Sequence, residues 1–331
     1  MQHHDVTKKN THFTTPLTRR WGRLLATVVA LVVLTTDAVP LQADGAKDSD
    51  AGVVRVLLTA TGRHNTTPPP LTQGDVLVYK GRDRLPVVDL APCQGNQAGL
   101  DLVILLDDAL DTSVASQLGD LRDFIRSLPA TTRVATAYAS NGTVTIDQNF
   151  TTDHEQAAKS LRMPVGNPAA FSSIFLSLTD LLKRLPESSN RREILLISDG
   201  ADRFRGSFTP FSPDLDPLVQ EAQRNGIVID TLYATGVGRF YRNSFRVMNA
   251  QGNLTRLAQE TGGEAFFEGF STPVSFKPYL EELSKMLGQQ YLLTFRPEPV
   301  KRDSYEHFKF TTEVPNVELI APEHVFVPAS H

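Results

Sequence analysis

The sequence predicts an α/β fold: a doubly wound, mostly parallel sheet with helices on both faces, plus a small flanking β region from the N- and C-terminal segments. Between residues 99 and 290, continuous apolar runs such as "DLVILL", "REILLIS" and "IVIDTLYA" alternate with stretches of helical periodicity, as expected of strands covered on both faces. Outside that span the pattern changes to short β segments, and the C-terminal ones have period two. The 331 residues, 40% of them hydrophobic, suffice for one large domain or for a main domain with a small one.

Residues 1–43 differ from the rest. A cationic "TRRWGR" precedes "LLATVVALVVLTT" and then "AVPLQADG", the order of an export signal, with small residues at Ala38 and Ala43 and a mature start near Asp44. The apolar run is shorter than the roughly 20 residues that span a bilayer, so the segment reads as a cleaved leader. Membrane association follows only if it is retained. The expected location is therefore the periplasm or the extracellular space. A single cysteine, Cys93, excludes an intramolecular disulfide, which suits a bacterial envelope protein better than a stapled extracellular module. The net charge of −4 supplies no basic field for a nucleic acid. The eight histidines are scattered, without the sequence spacing of a metal site.

From 52 to 98 the chain reads as short strands. "VVRVLLTAT" is followed by the Pro-rich "NTTPPP" and by "DVLVYKGRDRLPVVDL", a hairpin turning at Lys80-Gly81-Arg82-Asp83, with "CQGNQAG" as the exit linker. In the central region, Ser113 to Leu128 places Val114, Leu118, Leu121, Phe124, Ile125 and Leu128 on one helical stripe that Pro129 ends. "RVATAYAS" and "TVTIDQNF" flank Asn141-Gly142, a tight-hairpin signal that makes one of them antiparallel to the rest. Helices follow over "DHEQAAKSLRM" and "SSIFLSLTDLLKRL", then over "LDPLVQEAQRN", closed by Gly226, over "LTRLAQETGG" and over "FKPYLEELSKMLGQQ". The tail from 291 to 328 ("YLLTFRP", "HFKFTTEV", "VELIAPEHVFVP") is expected to pack with the N-terminal β region.

Two buried strands end in acid, "VILLDD" at Asp107-Asp108 and "ILLISDG" at Asp199. In an open doubly wound sheet, ligands bind outside the carboxyl ends of the strands at the switch point. Neighbouring strands would bring these carboxylates into one crevice. Their repulsion is relieved there by a hard cation, by an arginine or by raised pKa values. "TGVG" lacks the third glycine of a dinucleotide loop and reads as a turn. There is no Gly-x-Ser-x-Gly, phosphate loop or His-Glu-x-x-His, and no nucleophile paired with a base.

The segments "DLVILLDDALDTS", "AFSSIFLSLTDLLKRL" and "RREILLISDGAD" resemble the three metal-site segments of von Willebrand factor type A (VWA) domains. More narrowly, nearly the whole chain after the leader resembles the VWFA-related family of exported bacterial proteins. The resemblance implies a VWA/Rossmann-like fold, a divalent cation (Mg2+ or Ca2+), and an open coordination position that takes a carboxylate from a partner protein. It assigns the metal to Asp107, Asp111, Ser172 and Asp199, with Ser173 adjacent to the third. The family pattern Asp-x-Ser-x-Ser falls on Asp107, Ala109 and Asp111, so one hydroxyl becomes alanine and the other a carboxylate. A carboxylate at that position neutralises the cation and weakens its pull on an incoming ligand.

The expected function is therefore an exported, non-catalytic protein-binding domain with a degenerate metal-ion-dependent adhesion site. Without a cation, backbone amides, Ser172 or Arg203 would satisfy Asp107 and Asp199. The rival readings are a metal-dependent hydrolase using Asp107, Asp111 and Asp199, and a structural envelope component whose site is dead.

Overall fold

The computed structural model describes residues 52–63, 66–167, 172–204, 212–238, 243–267 and 269–330. The leader at 1–43 and Arg205 lie outside them. Among the described residues, no helix is long and apolar enough to cross a membrane.

The chain opens with β1 (Val54–Gly62), β2 (Val76–Lys80), β3 (Asp83–Leu85) and β4 (Val87–Pro92). The hairpin of β2 and β3 pairs Lys80 with Asp83 across Gly81, whose φ of 61° suits a residue without a Cβ.

The central region begins with β5 (Leu100–Asp107), every residue of which is buried. A 3-10 turn over Thr112–Gln117 then leads into α1 (Leu118–Ser127). The sequence pattern predicts helix from Ser113, but the Ser116 hydroxyl donates to the Ser113 carbonyl at 2.8 Å, a local bond that competes with the α-helical ladder. Next come β6 (Thr132–Ser140) and β7 (Thr143–Thr151), joined by Asn141 and Gly142 at φ 54° and 76°. Positive φ at both central residues is the turn that matches strand twist.

Asp153 caps α2 (His154–Ser160) through the Gln156 amide at 2.9 Å. That helix stops three residues short of its predicted end at Met163. α3 (Ile174–Arg184), β8 (Arg191–Ser198), α4 (Leu215–Arg224) and β9 (Ile227–Tyr233) follow. α5 (Ser244–Thr261) is ten residues longer at its start than the predicted segment from Leu254. Gly252 interrupts the apolar pattern, yet Val247 and Ala250 are buried on the stripe of Leu254 and Leu257, and Asn243 caps the helix. The central region closes with β10 (Ala265–Phe266) and α6 (Lys277–Leu287).

The six-stranded sheet has the order β10-β9-β8-β5-β6-β7. All its pairings are parallel except β6 with β7. Alternate side chains of the strands feed two apolar layers. Leu102, Ile104 and Leu106 face Leu121, Phe124 and Leu283 of α1 and α6. Val103 and Leu105 face Phe175, Leu178, Leu218 and Leu257 of α3, α4 and α5.

The tail supplies β11 (Gln290–Phe295), β12 (Ser304–His307), β13 (Lys309–Thr312), β14 (Val317–Ile320) and β15 (His324–Val327). β11 pairs with β1 and β4, β14 with β1, and β13 with β2, so both ends of the described chain share one β region. Its apolar core includes Leu58, Val78, Leu293 and Phe295. "HFKFTTEV" divides between two sheets: β12 pairs with β15 and β13 with β2. Phe308 at the corner is buried, edge-on to Phe295 at 5.0 Å.

Candidate functional site

From β5 the chain winds to β6 and β7 on one side, and from β8 to β9 and β10 on the other. The strand order therefore switches between β5 and β8, the place where open α/β sheets build their crevice at the carboxyl ends of the strands. Asp107 is the last residue of β5, and Asp199 directly follows β8; both are buried.

Each carboxylate has partners from its own neighbourhood. Asp107 Oδ1 accepts from the Ala109 amide at 2.8 Å, and its Oδ2 from the Ser198 hydroxyl at 2.8 Å. Ser198 Oγ in turn accepts from the Gly200 amide at 3.1 Å. Asp199 Oδ1 accepts from the Ala201 amide at 2.7 Å, and its Oδ2 forms an ion pair with the Arg203 guanidinium. Burial pushes the Asp107 carboxyl up to about 7, and the Asp199 charge pushes the same way. The Ala109 amide, Arg203 and the Ser198 hydroxyl oppose the rise.

Of the four residues that the resemblance assigns to a metal, Asp107 and Asp199 stand at the ends of paired strands. Arg203 links Asp199 to Ser172: its side chain pairs with Asp199 while its amide donates to the Ser172 carbonyl at 2.9 Å. Ser173 caps α3, accepting from the Leu176 amide at 3.5 Å. Asp111 lies four residues beyond Asp107, at the start of the following turn. It caps the 3-10 turn, accepting from the Ser113 amide at 2.9 Å, and that bonding holds its carboxyl below the usual carboxylate range. Its own amide donates to the Thr235 carbonyl at 2.9 Å. The "TGVG" stretch bridges to the same loop through Leu110 and Gly236, a structural turn rather than a nucleotide cradle.

Asp108 belongs to a cluster that sequence reasoning missed. It is buried, and Arg162 grips it with Nη1 at 2.8 Å and Nη2 at 2.9 Å. The Val165 amide adds a third bond at 3.1 Å, and the Asp108 carbonyl accepts from Gly166 at 2.9 Å. The Arg162 guanidinium lies 3.6 Å from the ring centroid of Tyr138, whose hydroxyl accepts from the Arg162 amide at 2.6 Å. This cluster ends α2 early and ties residues 162–166 beside the crevice. The alternation of side chains along an extended chain foretells that Asp108 points away from Asp107. Nothing in the sequence foretells a partner 54 positions on.

The sheet order, its single antiparallel edge and the two acids at the switch point are those of a doubly wound α/β fold, the fold that the resemblance to VWA domains implies. Among solved structures, the protein is similar to the conserved hypothetical protein BatB from Bacteroides thetaiotaomicron, at 13% identity and a TM-score of 0.41, over 57% of this chain and 97% of that one. An aerotolerance-related membrane protein from Bacteroides fragilis matches at 12% identity and a TM-score of 0.41, over 57% of this chain and 98% of that one. The vWF domain of the type V pili tip protein Mfa5 from Porphyromonas gingivalis matches at 12% identity and a TM-score of 0.39, over 56% and 94%. No protein-family model and no curated protein matches the sequence.

Proposed function

We propose that this protein is an exported, non-catalytic binding domain of adhesion or assembly type that captures a protein partner at the carboxyl-end rim of its sheet without a cation. The observation that carries the reading is the character of that rim. Val165, Phe204, Phe245, Met248, Phe267 and Phe270 are all exposed there, on segments that follow α2, β8, β9 and β10. Exposed apolar side chains concentrated at one end of a domain mark an interaction surface.

The donor set of the crevice fits a divalent cation poorly. Ala109 offers no side-chain oxygen, Asp111 is held by the Ser113 amide, and Arg203 supplies positive charge to Asp199. The degenerate adhesion site is thus satisfied internally. The loops at this end of the sheet carry no histidine and no cysteine, so neither an imidazole base nor a thiol nucleophile stands beside the acids. Export rests on the leader composition, and mass spectrometry of the exported form should place the mature start near Asp44.

The test is a pull-down from envelope extract with wild-type protein and with Phe245→Ser/Met248→Ser, each with and without chelator. The reading expects capture that survives the chelator and is lost in the double variant. Capture abolished by chelator, or unchanged in the variant, defeats it.

A further inference from the structure

We propose a transition-metal site on the opposite flank of the molecule, formed by Glu260 of α5 together with Glu323 and His324 at the start of β15. One ligand atom from each of the three side chains lies within 4.8 Å of the others. His324 Nδ1 and Glu260 Oε2 are 2.8 Å apart. Zinc binds imidazole nitrogen at about 2.0–2.1 Å and carboxylate oxygen at about 2.0–2.2 Å. A cation therefore needs those two atoms to part by only a few tenths of an ångström, replacing the hydrogen bond between them.

Three further features favour a cation here. Glu260 sits in the last turn of α5, where the helix dipole is negative and no basic residue stands in that turn. Glu323 adds a second carboxylate beside it, so the pair repels unless a positive charge intervenes. Arg256 approaches Glu260 only at 3.8 Å, while its guanidinium engages Asp216 at 2.7 Å.

A second imidazole is at hand: His307 faces His324 in the β12–β15 register, with ring centroids 5.4 Å apart. The backbone is also held firmly. Gly262, at φ 83°, lies so close to Pro322 that a Cβ there would meet Pro322 Cδ at 2.7 Å. Two carboxylates with one or two imidazoles form a mixed N/O set that suits Zn2+, Co2+ or Ni2+ better than Mg2+. Bound metal would staple the β12–β15 pair to α5. The sequence conceals the site because its members lie on helix and strand 64 positions apart.

Co2+ serves as probe on the full chain, read by its visible d–d bands and by calorimetry, with Zn2+ displacing it. Wild type should take up one Co2+ per chain saturably, and Zn2+ should raise its melting temperature. Glu260→Gln and His324→Ala should each weaken binding at least tenfold while keeping the native circular dichroism, and Asp107→Asn should bind as wild type does. No saturable uptake by wild type, or wild-type uptake in both Glu260→Gln and His324→Ala, overturns the proposal. Loss of uptake in Asp107→Asn alone would place the metal in the crevice instead and overturn it equally.

Discussion

Arg203 and Asp199 form an ion pair within a single loop, four residues apart, with the carboxylate fully buried and the guanidinium nearly so. A cation held as the sequence resemblance implies would need that same carboxylate. A guanidinium is planar, permanently charged and more weakly hydrated than an ammonium, so it tolerates burial where Mg2+ would need several oxygen ligands. Arg203→Ala should therefore destabilise the fold by about 3 kcal/mol, the usual result of removing one partner from a buried pair. Millimolar Mg2+ or Ca2+ should restore part of that loss in the variant and leave wild type unchanged. Thermal denaturation with and without the cations checks it. A wild-type protein stabilised as much as the variant would mean that the site is metal-competent.

Asp107 gives the crevice a pH dependence. Its folded carboxyl is pushed up to about 7, mainly by burial, whereas an unfolded aspartate titrates near ~3.9. The folded state thus binds the proton more tightly. That contribution is fully present below about pH 4 and is lost as pH rises towards 7. Asp107→Asn keeps an acceptor for the Ala109 amide and removes the charge. It should exceed wild type in stability by about 2–4 kcal/mol at pH 8, with little difference at pH 4. Urea unfolding at both pH values decides it, and an equal difference at both would exclude titration of this group.

The same residues show how much of the site is legible in the sequence. Asp107 and Asp199 are legible because each ends an apolar run that reads as a buried parallel strand, and neighbouring strands of that kind bring their acids together at the sheet's carboxyl end. The hairpin at Asn141-Gly142 is legible because positive φ at two successive residues leaves few other choices. Asp111 shows the limit of spacing. Motif register places it beside Asp107, but register does not foretell the local bond it makes to the Ser113 amide. The first half of α5 was hidden by Gly252, whose poor helix propensity the buried stripe overrides. Arg162 carries no local signal, because its role depends on which strand lies beside α2.

The Asp108 and Arg162 pair should behave as a bidentate clamp on a buried carboxylate, with the guanidinium partly exposed. Arg162→Met keeps much of the side chain's volume over Tyr138 but leaves Asp108 buried with only the Val165 amide bond on its carboxylate. The expected loss is about 2 kcal/mol, between the exposed and the fully buried case. Asp108→Asn/Arg162→Met, which buries no charge, should recover at least 1 kcal/mol or so of it. A double variant no more stable than Arg162→Met would show that the arginine acts through its packing on Tyr138 instead.

Gly200 separates two reasons for glycine. It leaves β8 at φ 68°, and a Cβ there would meet the Ala250 carbonyl oxygen at 2.6 Å and Leu254 Cγ at 2.7 Å. Gly226 has a similar φ of 60° with nothing within 4 Å of the added atom. Alanine at either position meets the left-handed backbone cost of about 1 kcal/mol. Only at Gly200 does it also press on a backbone carbonyl and a buried leucine, a further 1–3 kcal/mol or so as in other overpacked sites. Gly200→Ala should therefore lose about 3 kcal/mol against about 1 for Gly226→Ala. Because the Gly200 amide bonds Ser198 Oγ, which itself bonds Asp107, the same substitution should also disturb the titration near pH 7, and Gly226→Ala should not. Equal losses in the two variants, measured by urea unfolding, would show that α5 yields to the added methyl group and that φ alone selects glycine at this turn.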